Sequence, residues 1–168
     1  ASTKLLTNEV GCVARQSISQ VGNQVIFLSD NGVYSTQFFD EYNLRGTETP
    51  LSEPINETIK RIQKAYWHNS VSVYFDNRYF LAVPLDTFQD GTPNTSGINN
   101  AIIIYNFLNK QWESIDQVAD TDFHISNLLV VGEGEKRGIY AVNDIGGVQK
   151  LNERVDGVDR IITQIGGD

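Results

Sequence analysis

Val25-Ile26-Phe27-Leu28, Ser29-Asp30-Asn31-Gly32, Val33-Tyr34-Ser35-Thr36: two β-branched and aromatic runs enclose a cluster of turn formers. Runs of this length and composition, closed by residues that bend the chain, read as antiparallel strands joined by a hairpin. Asn31-Gly32 offers the positive-φ positions that a tight turn requires. The form returns at Val71–Phe75, Asp76-Asn77-Arg78 and Tyr79–Val83, where Pro84 ends the strand by removing a backbone donor. A third copy runs Ala101–Tyr105, turns over Asn106–Lys110 and resumes at Gln111–Ile115. A fourth reads Asn127–Val131, a Gly-rich turn over 132–138, then Ile139–Val142, and Val142–Gly147 leads into Val148–Leu151. The hairpins begin near residues 25, 71, 101 and 127, a spacing of roughly 25 to 45 residues. That spacing predicts radial or stacked β repeats in which two hairpins make each four-stranded sheet. The expected fold class is all-β, with antiparallel hairpin repeats as propeller-like blades, in a single domain over residues 1–168.

One segment departs from this pattern. Ile55, Ile59, Ile62 and Tyr66 follow Ser52-Glu53-Pro54 at helical offsets, so an amphipathic helix of about three turns is predicted over about 52–68, capped by Ser52. Residues 87–100 are rich in Gly, Pro, Asn, Thr and Ser and read as a long exposed loop. From Glu153 to Asp168 the apolar residues fit a strand pair and a helix equally.

Composition narrows the functional classes. With 40% hydrophobic and 20% charged residues the chain can bury a core. The net charge of −8 disfavours wrapping by nucleic acid, because duplex affinity comes largely from Lys and Arg. One cysteine, Cys12, allows no intrachain disulfide and no cysteine zinc cluster; among apolar neighbours it is expected to be a small buried hydrophobe. No apolar run is long enough to span a bilayer. Methionine is absent, position 1 included, so a processed product or an excerpt of something longer is expected.

No catalytic, cofactor-binding or metal-binding residue is assigned. His68 lies at the predicted helix end, where a cation meets the dipole favourably, and His124 lies before a strand. No G-x-S-x-G elbow accompanies them. Asp116, Asp120 and Asp122 offer oxygens to calcium, but they lack the central Gly and terminal Glu of an EF-hand loop. Asp30-Asn31 and Asp76-Asn77 are accounted for by turns. Asn56-Glu57-Thr58 and Asn94-Thr95-Ser96 match the glycosylation triplet, a common chance pattern. Tyr74, Phe75, Tyr79, Phe80, Tyr105 and Trp112 form either a stacking platform or, on the preferred reading, a core between neighbouring sheets. Trp67 is the aromatic expected to be partly exposed.

Several segments together resemble a known family. They are Gly11–Ile18, Gly22–Tyr34, Leu51–Ile55, Asp76–Pro84, and Asn100–Asn106 with Trp112-Glu113. In this order, with a helix between the first and second hairpins, they resemble the β-propeller tail proteins of short-tailed bacteriophages, the tail tubular protein B or tail nozzle family, over roughly residues 10–116. Asp144–Gly147 is similar to kelch-type propellers, but the paired Gly does not recur at each repeat.

The resemblance implies a non-catalytic virion component, made in the host cytoplasm, that helps form a ring at the tail end. Its partners would be further copies of itself and neighbouring tail proteins, with no cofactor and no membrane span. The chain is much shorter than such proteins and would hold two to three blades. DNA would pass without specific binding, and an acidic lining would repel phosphate. Two other classes remain open: a secreted or surface β-propeller or sandwich module binding carbohydrate or protein, and a hydrolase borne on a propeller.

Overall fold

The computed structural model describes residues 10–39, 43–46, 49–117, 124–151 and 163–164. Asp120, Asp122 and most of the stretch 153–168 lie outside them. The described chain is all-β with one short helix, in three four-stranded antiparallel sheets. The first sheet is β1 (Ser19–Val21), β2 (Gln24–Ser29), β3 (Gly32–Phe39) and β4 (Asn43–Gly46). The second is β5 (Val71–Phe75), β6 (Arg78–Val83), β7 (Ala101–Asn106) and β8 (Gln111–Gln117). The third is β9 (Asn127–Val131), β10 (Gly138–Val142), β11 (Val148–Lys150) and β12 (Thr163–Gln164). Each is a simple meander in chain order, the layout of a propeller blade.

Side-chain alternation stacks the sheets. In β6, Tyr79, Leu81 and Val83 point to the first sheet, where with Ala101, Ile103 and Tyr105 they meet Ile26, Leu28 and Val33. The intervening residues Ala82 and Ile102, joined by Val71 of β5, point the other way and meet Leu128, Ile139 and Ala141 of the third sheet. Both faces of the second sheet are thus buried, which is why Tyr79–Val83 and Ala101–Tyr105 are almost continuously apolar. Each fully buried Leu or Ile here contributes roughly 1.5–3 kcal/mol.

The turns follow from local chemistry. Asp76 and Asn77 occupy the left-handed region at φ 49° and 59°, making a two-residue turn that matches the twist of β5 and β6. The first hairpin differs from its expected form. Ser29 pairs with Gly32, so Asp30-Asn31 makes the turn and Gly32 opens β3. Gly32, at φ 141°, is required for closeness: a Cβ there would strike the Ser52 hydroxyl and crowd Pro50.

The expected three-turn helix is shorter. A 3-10 turn at Glu53–Ile55 continues into α1 (Asn56–Lys60), and a second 3-10 turn covers Trp67–Asn69. After Lys60 the backbone pairs with the chain leaving β6. Asp86 N–H donates to the Arg61 carbonyl at 3.0 Å, and Gln63 N–H donates to the Pro84 carbonyl at 2.9 Å. These bonds form the Ile62–Leu85 bridge and take the groups a longer helix would use internally. Ser52 does not cap; its hydroxyl accepts from the Val33 N–H at 2.9 Å. The apolar stripe nevertheless faces inward, with Ile62 buried and Ile55 and Ile59 packed on the same core.

The 87–100 connection carries no strand of a sheet, but it is less exposed than expected. Asn94, Asn99 and Asn100 are buried within it. Asn100 Oδ1 accepts from the Leu85 N–H at 2.8 Å, and its amide donates to the Thr87 carbonyl at 2.9 Å. Asn94 donates to the carbonyls of Leu85 and Ile98 at 2.9 and 2.8 Å. Asn99 joins the second sheet to the third, donating to the carbonyls of Asn69 and Ile125 at 2.6 and 2.8 Å. Buried backbone groups need partners, and short amides supply them where no sheet continues.

Two substitutions test this arrangement. Gly32→Val is expected to cost roughly 1–3 kcal/mol through the collision with Ser52 and Pro50; an unchanged thermal midpoint would show that those residues yield freely. Asn100→Ala strands the buried Leu85 N–H and is expected to cost roughly 1–3 kcal/mol, measured by urea denaturation.

Candidate functional site

The surface that the topology singles out is the column of first strands. Each sheet begins with an edge strand, and β1 lies beside β5, which lies beside β9. The three sheets therefore radiate from one shared line. Polar contacts tie the first two strands: the Ser19 and Ser72 hydroxyls are 2.9 Å apart, and Ser72 donates to the Gln16 carbonyl at 3.3 Å. Beneath them Tyr79, fully buried, donates its hydroxyl to the Ser17 carbonyl at 2.7 Å. Burial holds this phenol well above its ordinary range.

No residue of β1, β5 or β9 is charged. Acids among the described residues lie elsewhere, among them Asp30 and Asp76 in hairpin turns, Asp86 and Asp90 between β6 and β7, Glu113 and Asp116 on outer strand β8, and Glu133 and Glu135 in the β9–β10 connection. An acidic lining therefore does not follow from the net charge. Acids sit where turns and rims keep them hydrated, since an unpaired buried carboxylate is costly.

The weighed candidates are dispersed. His124 Nδ1 pairs with Asp144 at 3.2 Å, fixing the lead into β9 against the β10–β11 turn. His68 is exposed on its 3-10 turn. Asp116 accepts from the Ser114 hydroxyl at 3.0 Å within its own strand. Among the described residues, no three His, Cys, Asp or Glu side chains gather as metal ligands would. Asn94 of the second glycosylation triplet is buried and donates both ways, so in the folded chain it is inaccessible to a glycan. Cys12 is exposed, contrary to its apolar neighbourhood; its backbone bridges Ser29 at the rim of the first sheet and its thiol turns to the Ala14 carbonyl at 3.1 Å.

The aromatics pack on one another. Tyr74 meets Phe107 edge-on at 5.8 Å, Phe107 meets Tyr105 at 5.0 Å, and Tyr105 meets Trp112 at 5.1 Å. Trp112 is half-buried against the first core, and its indole N–H donates to the Leu51 carbonyl at 3.0 Å. Its outer side borders an open groove of about 800 Å³ with Pro50, Leu51, Pro54, Ile55 and Tyr105. Sequence reasoning did not find this groove, because Pro50–Ile55 and Trp112 are distant in the chain. Trp67 is half-buried, as expected, beside a cavity of about 220 Å³ under the first hairpin turn.

Comparison with family models, curated proteins and solved structures returns no match for the chain. No helix among the described residues is long and apolar enough to cross a membrane.

The Tyr79 phenol makes stability sensitive to alkali. The unfolded chain loses this proton near pH 10, its ordinary value, while the folded chain holds it to higher pH. The contribution is complete below about pH 10 and is lost as pH rises above it. Tyr79→Phe is expected to flatten the alkaline fall, with Tyr105, also raised by burial, leaving a residual slope. Denaturant midpoints from pH 8 to 11.5 measure both; parallel curves for the two proteins would show that the phenol ionises freely in the folded state.

Proposed function

We propose that the chain is a non-catalytic structural component of a short-tailed phage virion, contributing blades to a ring at the tail nozzle through which DNA leaves. The observation that carries this reading is the radial stack of three four-stranded meanders whose first strands lie side by side. Those strands are uncharged, so a passage beside them would offer phosphate neither attraction nor repulsion, and DNA would slide without being held. This replaces the acidic lining expected from net charge. Its partners would be copies of itself and adjacent tail proteins, and its place the virion. Deleting the gene from the phage that encodes it should give particles with filled heads and truncated tails that fail to eject DNA. Normal tails and plating efficiency in the deletion would refute the assignment.

A second reading, a carbohydrate- or protein-binding module, is favoured by the Tyr105–Trp112 groove alone. Oligosaccharide binding there should shift Trp fluorescence, and Trp112→Phe should abolish the shift.

A further inference from the structure

The cavity of about 220 Å³ beneath the first hairpin turn has two unlike walls. One is apolar: Leu28 of β2, Ile59 of α1, Ile62 and Trp67 border it, and these belong to the first core or pack against it. The other is polar, made by Asp30 and Asn31 of the turn and by Asn56, where α1 begins. Lys60, the last residue of α1, and Lys64 complete the rim. An apolar wall with a few convergent polar groups is the usual form of a small-molecule site.

The polar groups are available to a ligand. Asn31, Asn56 and Lys64 are exposed, and their side chains bond no other described residue. Asp30 accepts from the Ser29 hydroxyl at 3.0 Å through Oδ1, and its second oxygen is open. Lys60 pairs with Glu57 at 2.7 Å, but both side chains are largely exposed. A pair so hydrated holds its partners weakly, and the ammonium can turn to a ligand. Among the lining residues two ammonium groups stand against one carboxylate, a local excess of positive charge in a chain of net charge −8.

We propose that this cavity binds one hexuronic acid residue, a pyranose ring that bears a carboxylate. Volume sets the size, since sites for drug-sized ligands run to roughly 300–1,000 Å³ and this one holds a single ring. The lining sets the class. One face of a pyranose is made of C–H bonds, whose partial positive charge suits the negative face of an indole, so the ring rests on Trp67. Its hydroxyls meet the amides of Asn31 and Asn56, which both donate and accept, and the open oxygen of Asp30, which accepts. Its carboxylate meets Lys64, with Lys60 beside it, in charge-assisted bonds. A neutral sugar would leave both ammonium groups unused, and an aromatic acid would bring no hydroxyls to the amides. The site rests on neither reading of the function, because its residues lie apart from the first strands and from the Tyr105–Trp112 groove.

The indole N–H signals of Trp67 and Trp112 in a nitrogen–proton correlation spectrum of the full chain report on the two places separately, with Trp67→Phe assigning them. D-glucuronate is expected to shift the Trp67 signal saturably, with Kd on the order of 1 mM, and to leave Trp112 in place. D-glucose and benzoate should each bind roughly tenfold more weakly or worse. Lys64→Ala should weaken glucuronate by roughly tenfold, leave the glucose response as it was and keep the thermal midpoint of the parent. Asn56→Ala, also at an exposed position, should weaken both sugars. The proposal is overturned by a Trp67 signal that stays fixed up to about 50 mM glucuronate, or by glucose or benzoate binding as tightly as glucuronate. A response of Trp112 alone would move sugar binding to the open groove and overturn this site.

Discussion

The burial of the second sheet on both faces is the constraint on which the rest of the structure depends. A sheet with one wet face can stand beside solvent, but Tyr79–Val83 and Ala101–Tyr105 are apolar at nearly every position and need a cover on each side. The first and third sheets provide it, so neither core can form without the middle hairpins. The register is fixed by the same fact. A slip of one residue would exchange the two faces, moving Tyr79 out of its bond with Ser17 and setting its hydroxyl against apolar Leu128 and Ile139.

Where the sheets stop, polar side chains take over. The chain leaves β6 at Val83 and re-enters at Ala101; the side chains of Asn94, Asn100 and Gln63 bond the intervening backbone, and the Arg61 carbonyl accepts from the Asp86 N–H. This network accounts for both corrections in the region. It draws residues 87–100 inward, and it pulls Arg61–Gln63 out of a helix into a bridge with Leu85. Helical spacing of isoleucines identified the buried side correctly; the bridge decided how many turns were wound.

Charge follows the same division. Net charge is a sum over the chain and has no direction. Turn chemistry recruits Asp30 and Asp76, and the half-wet outer strand β8 alternates Glu113 with partly buried neighbours, while the first strand of each sheet, set beside the first strand of a neighbouring sheet, carries none. The proposed conduit is therefore neutral at its first strands.

The strands of all four hairpins were legible because alternation, β-branching and turn residues act over a few neighbouring positions. Asp76-Asn77 as a turn, Pro84 as a stop and the inward isoleucine face are of this kind. The one-residue shift of the first turn was not legible, since Gly32 is required by the approach of Ser52 and Pro50 some twenty positions later. Nor was the exposure of Cys12, whose apolar neighbours Val10 and Val13 say nothing of the rim on which it lies, nor the groove where Trp112 meets Pro50 and Pro54. By itself the sequence determined that this protein is a series of antiparallel hairpins, because each hairpin's free energy is largely local. Only the tertiary structure decided which faces are covered, where the helix ends and which strands share the common line, because those depend on contacts between residues far apart in the chain.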